Sequence, residues 1–246
     1  MLVLHLKMKT IAITIYLCIT SWVLSNLPND AIVISGQPGP MLNKKHFLEN
    51  GLDRSLKLRN AFQREQSNEK VVWVIYNSGN SEKGGYPDSI LQIYLAQAAA
   101  EHIETKVVNS GNDLIELINN RADSSITTAK LSKLHYYGHA TLGNLEVGFV
   151  NGVLWNKLFS DRLKVHKLDS MSFSDSATID LVGGCRTALA PNFIRNKSVA
   201  EQFQPIINGK ILASDVRVFY PGGPVSDKTL VKKNNGNIIE FPGTRD

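Results

Sequence analysis

Two residues have the type and setting for nucleophilic chemistry. His139 stands in the run Tyr136-Tyr137-Gly138-His139-Ala140, and Cys185 in Leu181-Val182-Gly183-Gly184-Cys185-Arg186. A thiol on its own is only a few per cent thiolate near neutral pH. A neighbouring imidazolium lowers its pKa, or a neutral imidazole takes its proton during attack. Both runs read as strand ends, and open parallel sheets hold their ligands at the carboxyl ends of strands. If the two strands are neighbours, their backbones lie about 4.8 Å apart and the side chains face one another across a cleft. The backbone N–H groups of Cys185 and of a residue beside His139 could then stabilise a tetrahedral oxyanion. The glycines before the cysteine let a substrate approach the backbone. Arg186 is either a substrate contact or a clamp on a nearby carboxylate. His135 lies four residues before His139. On a helix that spacing would suggest a metal pair, but on a strand His135 reads as structural, and with no third ligand no metal is expected. Tyr136 and Tyr137 read as core and cleft-wall residues.

These residues need a sheet to carry them. Val71-Val72-Trp73-Val74-Ile75-Tyr76 is a continuous apolar run, as expected of a strand buried on both faces. A helix is expected over Ser89 to Ile103, N-capped by Asp88, with Leu91, Tyr94, Leu95 and Ala98 at helical spacing. Further strands are expected at Lys106–Val108, Lys133–Gly138, Thr178–Val182 and Lys210–Ser214. Short helices are expected from Asn112 or Asp113 to Asn120, around Trp155–Phe159, and over Ser198–Gln204, where Pro205 stops the last one. Asn26 to Lys45 reads as an exposed lead-in, and Lys44 to Gln66 as a polar, helix-permissive stretch interrupted by Gly51. The segment after Tyr220 reads as a tail, with Ile238–Phe241 able to form a small edge strand. Alternating strands and helices imply an α/β fold, a mainly parallel sheet with helices on both faces.

The order and spacing of these pieces resemble the caspase-like (clan CD, caspase–hemoglobinase fold) cysteine peptidases. The bacterial gingipain-, clostripain- and CHAT-type branch, with a related domain of unknown function in secreted bacterial proteins, is the nearest. The matching pieces are Tyr137-Gly138-His139, Leu145–Leu158, Gly184-Cys185-Arg186-Thr187-Ala188, Ser198–Gln204 and Ala213-Ser214, within Val71–Tyr220. The resemblance implies a caspase-like fold with His139 as general base and Cys185 as nucleophile. It also implies an oxyanion hole from the N–H groups of Ala140 and Cys185, and substrate contacts from Ser214, Asp215 and Arg186. An acid at Asp215, or alternatively at Asp180, would favour Lys or Arg at the P1 position through a charge-assisted contact. Ala140 stands where the family carries glycine, and Gly184 where many members carry alanine. No cofactor is implied. In several such families the enzyme matures by cleavage in loops like Ser160–Ala177 and Thr187–Lys197, so self-cleavage there is an expectation.

The 246-residue chain is 43% hydrophobic and 20% charged, which excludes a disordered or fibrous class. A net charge of +5 without a nucleic-acid motif argues for no nucleic-acid partner. Lys7 and Lys9 precede a 14-residue, mostly apolar run from Ile11 to Leu24, too short to span a bilayer and suited to a signal peptide ending at Ser25. An N-terminal anchor is the alternative. Cleavage would remove Cys18 and leave Cys185 as the single cysteine of an exported chain. The expected organisation is a signal peptide at 1–25, an arm or pro-segment at 26–66, the α/β domain at 67–221 and a tail at 222–246. The expected protein is a secreted or periplasmic cysteine endopeptidase acting on a protein or peptide, with no stable membrane insertion. The alternatives are a catalytically inactive binding or adhesion module on the same fold, and an exported toxin-like effector peptidase.

Overall fold

The computed structural model describes residues 29–37, 45–78, 85–121, 129–148, 161–190, 197–220 and 223–245. The expected signal peptide and the helix at Trp155–Phe159 lie outside them. Seven strands form the central sheet: β1 (Asn29–Ser35), β2 (Lys70–Tyr76), β3 (Glu104–Val108), β4 (Lys130–Tyr137), β8 (Phe173–Gly183), β9 (Lys210–Ser214) and β10 (Ile238–Pro242). Their order is β10-β9-β8-β4-β1-β2-β3. All neighbours pair in parallel except β10, which runs antiparallel to β9. A small antiparallel sheet, β5 (His139–Thr141), β6 (Asn144–Gly148) and β7 (Asp161–Leu163), stands directly after β4.

The sheet is covered on both faces, so its inner strands are apolar throughout. In β1, Ala31 and Val33 pack with α1 (His46–Arg64) and α2 (Asp88–Ala100), through Phe47, Leu48, Phe62, Leu91 and Ala98. Ile32 and Ile34 face the other way, toward Leu114 and Ile118 of α3 (Gly111–Asn119) and Val199 and Phe203 of α4 (Val199–Phe203). A last helix, α5 (Asp227–Lys233), lies against β8.

Several expectations are corrected. The stretch read as an exposed lead-in contains β1, which is buried and lies between β2 and β4 in the sheet. The stretch interrupted by Gly51 is one continuous helix, α1. Gly51 is tolerated within it because the helix lies close on the sheet: a Cβ there would come within 2.1 Å of Ser35 Oγ and 2.6 Å of Trp73 Nε1. Residues 29–35 and 46–64 are thus layers of the α/β unit. The C-terminal segment is also built in, since α5 covers β8 and β10 closes the sheet edge. Helix caps differ as well. Asp88 is the first residue of α2, after Pro87. Ser110, rather than Asn112 or Asp113, caps α3 by accepting the Asp113 N–H. Ser198 caps α4 in a reciprocal box with Glu201. No helix among the described residues is long and apolar enough to cross a membrane.

Candidate active site at the β4 and β8 strand ends

Strands β4 and β8 are neighbours, and their last pairing is Tyr137 with Gly183. His139 and Cys185 each lie two residues beyond that pair, where the chain has left the ladder. After Gly138 the chain turns into β5, and after Gly184 it turns through residues 185–188. The two turns touch: a Cβ on Gly184 would lie 3.2 Å from Ala140 Cβ and 2.9 Å from Thr187 Cγ2. The Ala140 N–H is among the groups that pull the Cys185 thiol pKa down. Among the described residues no carbonyl accepts the Cys185 N–H.

The loop after the cysteine is tied to the segment following β9. Arg186 N–H donates to Val216 O (2.8 Å), and Ala188 N–H to Ser214 O (3.0 Å). Thr187 Oγ1 accepts from Ser214 N–H (3.0 Å) and donates to Leu181 O (3.1 Å). Arg186 takes a left-handed backbone conformation (φ 54°), which costs a non-glycine residue energy and is held here by these bonds. Val218 N–H donates to Cys185 Sγ (3.3 Å), and the thiol points at Val218 O (3.6 Å). Burial pushes the half-buried Cys185 thiol above its ordinary pKa, against the opposing pull of the Val218 and Ala140 N–H groups and of Arg217 and Arg186.

His139 is half-buried, and its ring meets the edge of Phe47 (centroids 5.1 Å apart, planes at 86°). Phe47 in turn meets Tyr220 edge-on (5.2 Å), and His46 stacks on the other part of that tyrosine (6.0 Å). The first turn of α1 therefore lines the site. It is fixed from below: Trp73 Nε1–H donates to Ser35 Oγ (2.9 Å), whose hydroxyl donates to Phe47 O (2.7 Å). Tyr220 donates to Gly183 O (2.6 Å), just before the cysteine turn.

Comparison with family models, with curated proteins and with solved structures yields no match. The local geometry stands by itself, and it separates the expected site residues into two groups. The turn carrying His139 and Ala140 abuts the turn carrying Cys185 and Arg186. Ser214 and Asp215 do not present free groups. Ser214 is buried, and its hydroxyl bonds Val216 N–H and O (3.3 and 3.2 Å). Asp215 accepts Asn237 N–H (2.7 Å) and Asn237 Nδ2–H (3.0 Å), so it pins the approach to β10. Asp180 is buried and bonded to His135 Nδ1 (3.1 Å) and to Val182 N–H (3.1 Å). His135 has the structural setting expected for it, and no group of three or more metal-ligating side chains occurs among the described residues.

Phe47, Tyr220 and the Val218 backbone are the site residues that sequence reading missed as such, whereas Tyr136 reads from the sequence as a core and cleft-wall residue. Only their apolar character signalled them, and that is equally the signature of core. Arg217 is a further one. Of the eight described arginines, Arg54, Arg59, Arg121, Arg162 and Arg245 form ion pairs and Arg64 bonds Asn60 O. Arg186 and Arg217, the two acting on Cys185, have no side-chain hydrogen bond or ion pair among the described residues.

Proposed function

We propose that the chain is a caspase-like cysteine endopeptidase with His139 as general base and Cys185 as nucleophile. One observation carries this reading. The turns holding the two residues abut at the carboxyl ends of adjacent parallel strands, where a Cβ on Gly184 would lie 3.2 Å from Ala140 Cβ. The order of the central strands, with the histidine opening a small antiparallel sheet, supports the same reading.

In the reaction the Cys185 sulfur attacks the scissile carbonyl carbon while its proton passes to the His139 imidazole. The C–S bond forms and the carbonyl π electrons move onto oxygen. The Ala140 and Cys185 N–H groups are the donors assigned to that developing charge. Collapse of the intermediate breaks the C–N bond, and the imidazolium returns its proton to the departing amine. Water, deprotonated by His139, then hydrolyses the thioester. Because burial keeps the resting thiol protonated, the proton transfer belongs to the attack step rather than to a preformed ion pair. The charges beside the sulfur are Arg186 and Arg217, which favours an acidic residue near the scissile bond over the basic one that Asp215 would select.

A peptide-library digest with wild type, Cys185→Ala and His139→Ala tests the reading. Cleavage by wild type alone is the expected result. Equal cleavage by all three, or none by any together with iodoacetamide alkylation of Cys185 unchanged by His139→Ala, overturns it. The second outcome belongs to the alternative, a catalytically silent binding module, which the engagement of the thiol by Val218 favours.

A further inference from the structure

We propose that Tyr136 is a positioning residue for the oxyanion hole, holding and polarising the one peptide unit that joins His139 to Ala140. The proposal rests on the His139–Cys185 reading above and adds a residue to it.

The His139–Ala140 peptide has two polar ends. Its N–H end lies on the turn that abuts the cysteine turn, where a Cβ on Gly184 would lie 3.2 Å from Ala140 Cβ, and it pulls the thiol pKa down. Its carbonyl accepts a hydrogen bond from the Tyr136 hydroxyl at 2.6 Å. A hydrogen bond to the oxygen of an amide draws electron density from the nitrogen, so the N–H becomes a stronger donor. Tyr136–OH thus acts through this peptide on the N–H that faces the cysteine turn. The same hydroxyl lies 2.8 Å from Glu146 O, so its single proton is shared between the two facing strands, β5 and β6. Both contacts fix the peptide plane.

The surroundings keep Tyr136 in this role. It is 1% exposed, and burial raises its phenol pKa well above the ordinary value, so it remains a donor at any working pH. Its hydroxyl reaches the peptide because Gly138 leaves the space. A Cβ on Gly138 would lie 2.5 Å from Tyr136 Oη. The Tyr-x-Gly-His spacing therefore serves the geometry: Tyr136 points into the layer below, Gly138 lets the ring pass, and His139 emerges above. Gly138 carries the steric allowance, which leaves position 140 free to be alanine.

A merely structural Tyr136 would staple the β5–β6 hairpin and nothing more. Tyr136→Phe in the full chain separates the two roles, because it keeps the ring and removes one hydroxyl. The reading is the pH dependence of iodoacetamide alkylation of Cys185. With the Ala140 donor weakened, its midpoint is expected to rise by roughly half a pH unit. On a cleavable peptide kcat is expected to fall about tenfold with KM little changed, as for loss of an interaction made in the transition state. Replacement of Tyr136 by 3-fluorotyrosine, a stronger donor of the same shape, is expected to lower the alkylation midpoint, and it serves if Tyr136→Phe does not fold. A midpoint that moves with neither substitution overturns the proposal. Alkylation reads this chain of bonds without any turnover. If the protein cleaves no peptide and His139→Ala leaves alkylation unchanged, the peptidase reading fails, while a Tyr136-dependent midpoint still upholds the link from hydroxyl to sulfur.

Discussion

Two histidines sit four residues apart on the same chain segment, each beside a residue of β8 or its following turn, and they differ in almost everything else. His135 lies within the ladder, in register with Asp180, and the pair is buried on the face that α1 covers. Around it Arg54 of α1 forms an ion pair with Asp227 of α5 and donates to Tyr137 Oη (3.0 Å), which in turn donates to Asp227 (3.1 Å). His139 lies beyond the end of the ladder, half-open, with a thiol rather than a carboxylate on the adjoining turn. Side-chain type does not separate these two settings. Two residues of strand do: inside the ladder, neighbouring backbones and helices exclude substrate, and past its end they supply unpaired N–H groups and room.

The largest effect that would sharpen this contrast is a double dissociation. Cys185→Ala is expected to abolish turnover and to move the unfolding free energy by less than about 1 kcal/mol, as seen by urea denaturation. Asp180→Asn is expected to do the reverse, costing about 1–3 kcal/mol of stability because it removes the carboxylate from the buried hydrogen bonds with His135 and the Val182 N–H. Turnover per folded molecule, counted by titrating the thiol, should stay near wild type. A large stability loss in Cys185→Ala would break the comparison.

The pH dependence of stability comes next in size. Burial pushes the Asp180 carboxyl up, but the His135 hydrogen bond and charge, Arg54 and the Val182 N–H together hold it below its ordinary value. A lowered pKa means that the stabilisation is complete above the unfolded value, about 3.9, and is lost as pH falls through the folded value. Wild type should therefore lose stability steeply below about pH 4, and Asp180→Asn should lose less over the same window. Parallel curves for the two proteins would show that the pair does not titrate as a native-state carboxylate.

The smallest effect concerns the charge at the open end. The anionic reagent iodoacetate, compared with neutral iodoacetamide, reads the potential beside Cys185. Arg186→Ala and Arg217→Ala are each expected to lower the rate ratio by about threefold at low salt, with the difference shrinking as ionic strength rises. An unchanged ratio would remove the electrostatic basis for an acidic substrate.

Much of the fold is legible in the residues, for reasons that are local. β2 and β9 are apolar runs bounded by polar or turn residues, and α4 announces itself with Ser198 and Glu201. β1 is not legible because its apolar core is short and Pro28 precedes it, while Gly36, Pro38, Gly39 and Pro40 follow; only pairing with β2 and β4 on both sides makes it a strand. β5, β6 and β7 are too short for period-two alternation to register. The placement of His139 and Cys185 just past the ends of neighbouring strands is legible because strand ends can be read from where apolar runs stop. Asp215 is misleading for the opposite reason: its partner, Asn237, lies 22 residues away, and nothing near Asp215 in the chain signals that pairing. Phe47 reaches His139 from a different helix, a contact that tertiary packing alone creates.

The strand order has a consequence for how the chain is made. β1 pairs with β2, and β3 then adds outside β2. β4 adds on the free side of β1, followed outward by β8, β9 and β10. Every strand of the central sheet can therefore dock on an open edge as it leaves the ribosome, with none inserted between two that have already joined. The half that carries α1 and its Phe47 is assembled first, and the thiol arrives later, with β8. A nascent chain that has extended only through β7 would hold the imidazole with no nucleophile beside it, so the β8 docking step is the moment at which reactivity could begin.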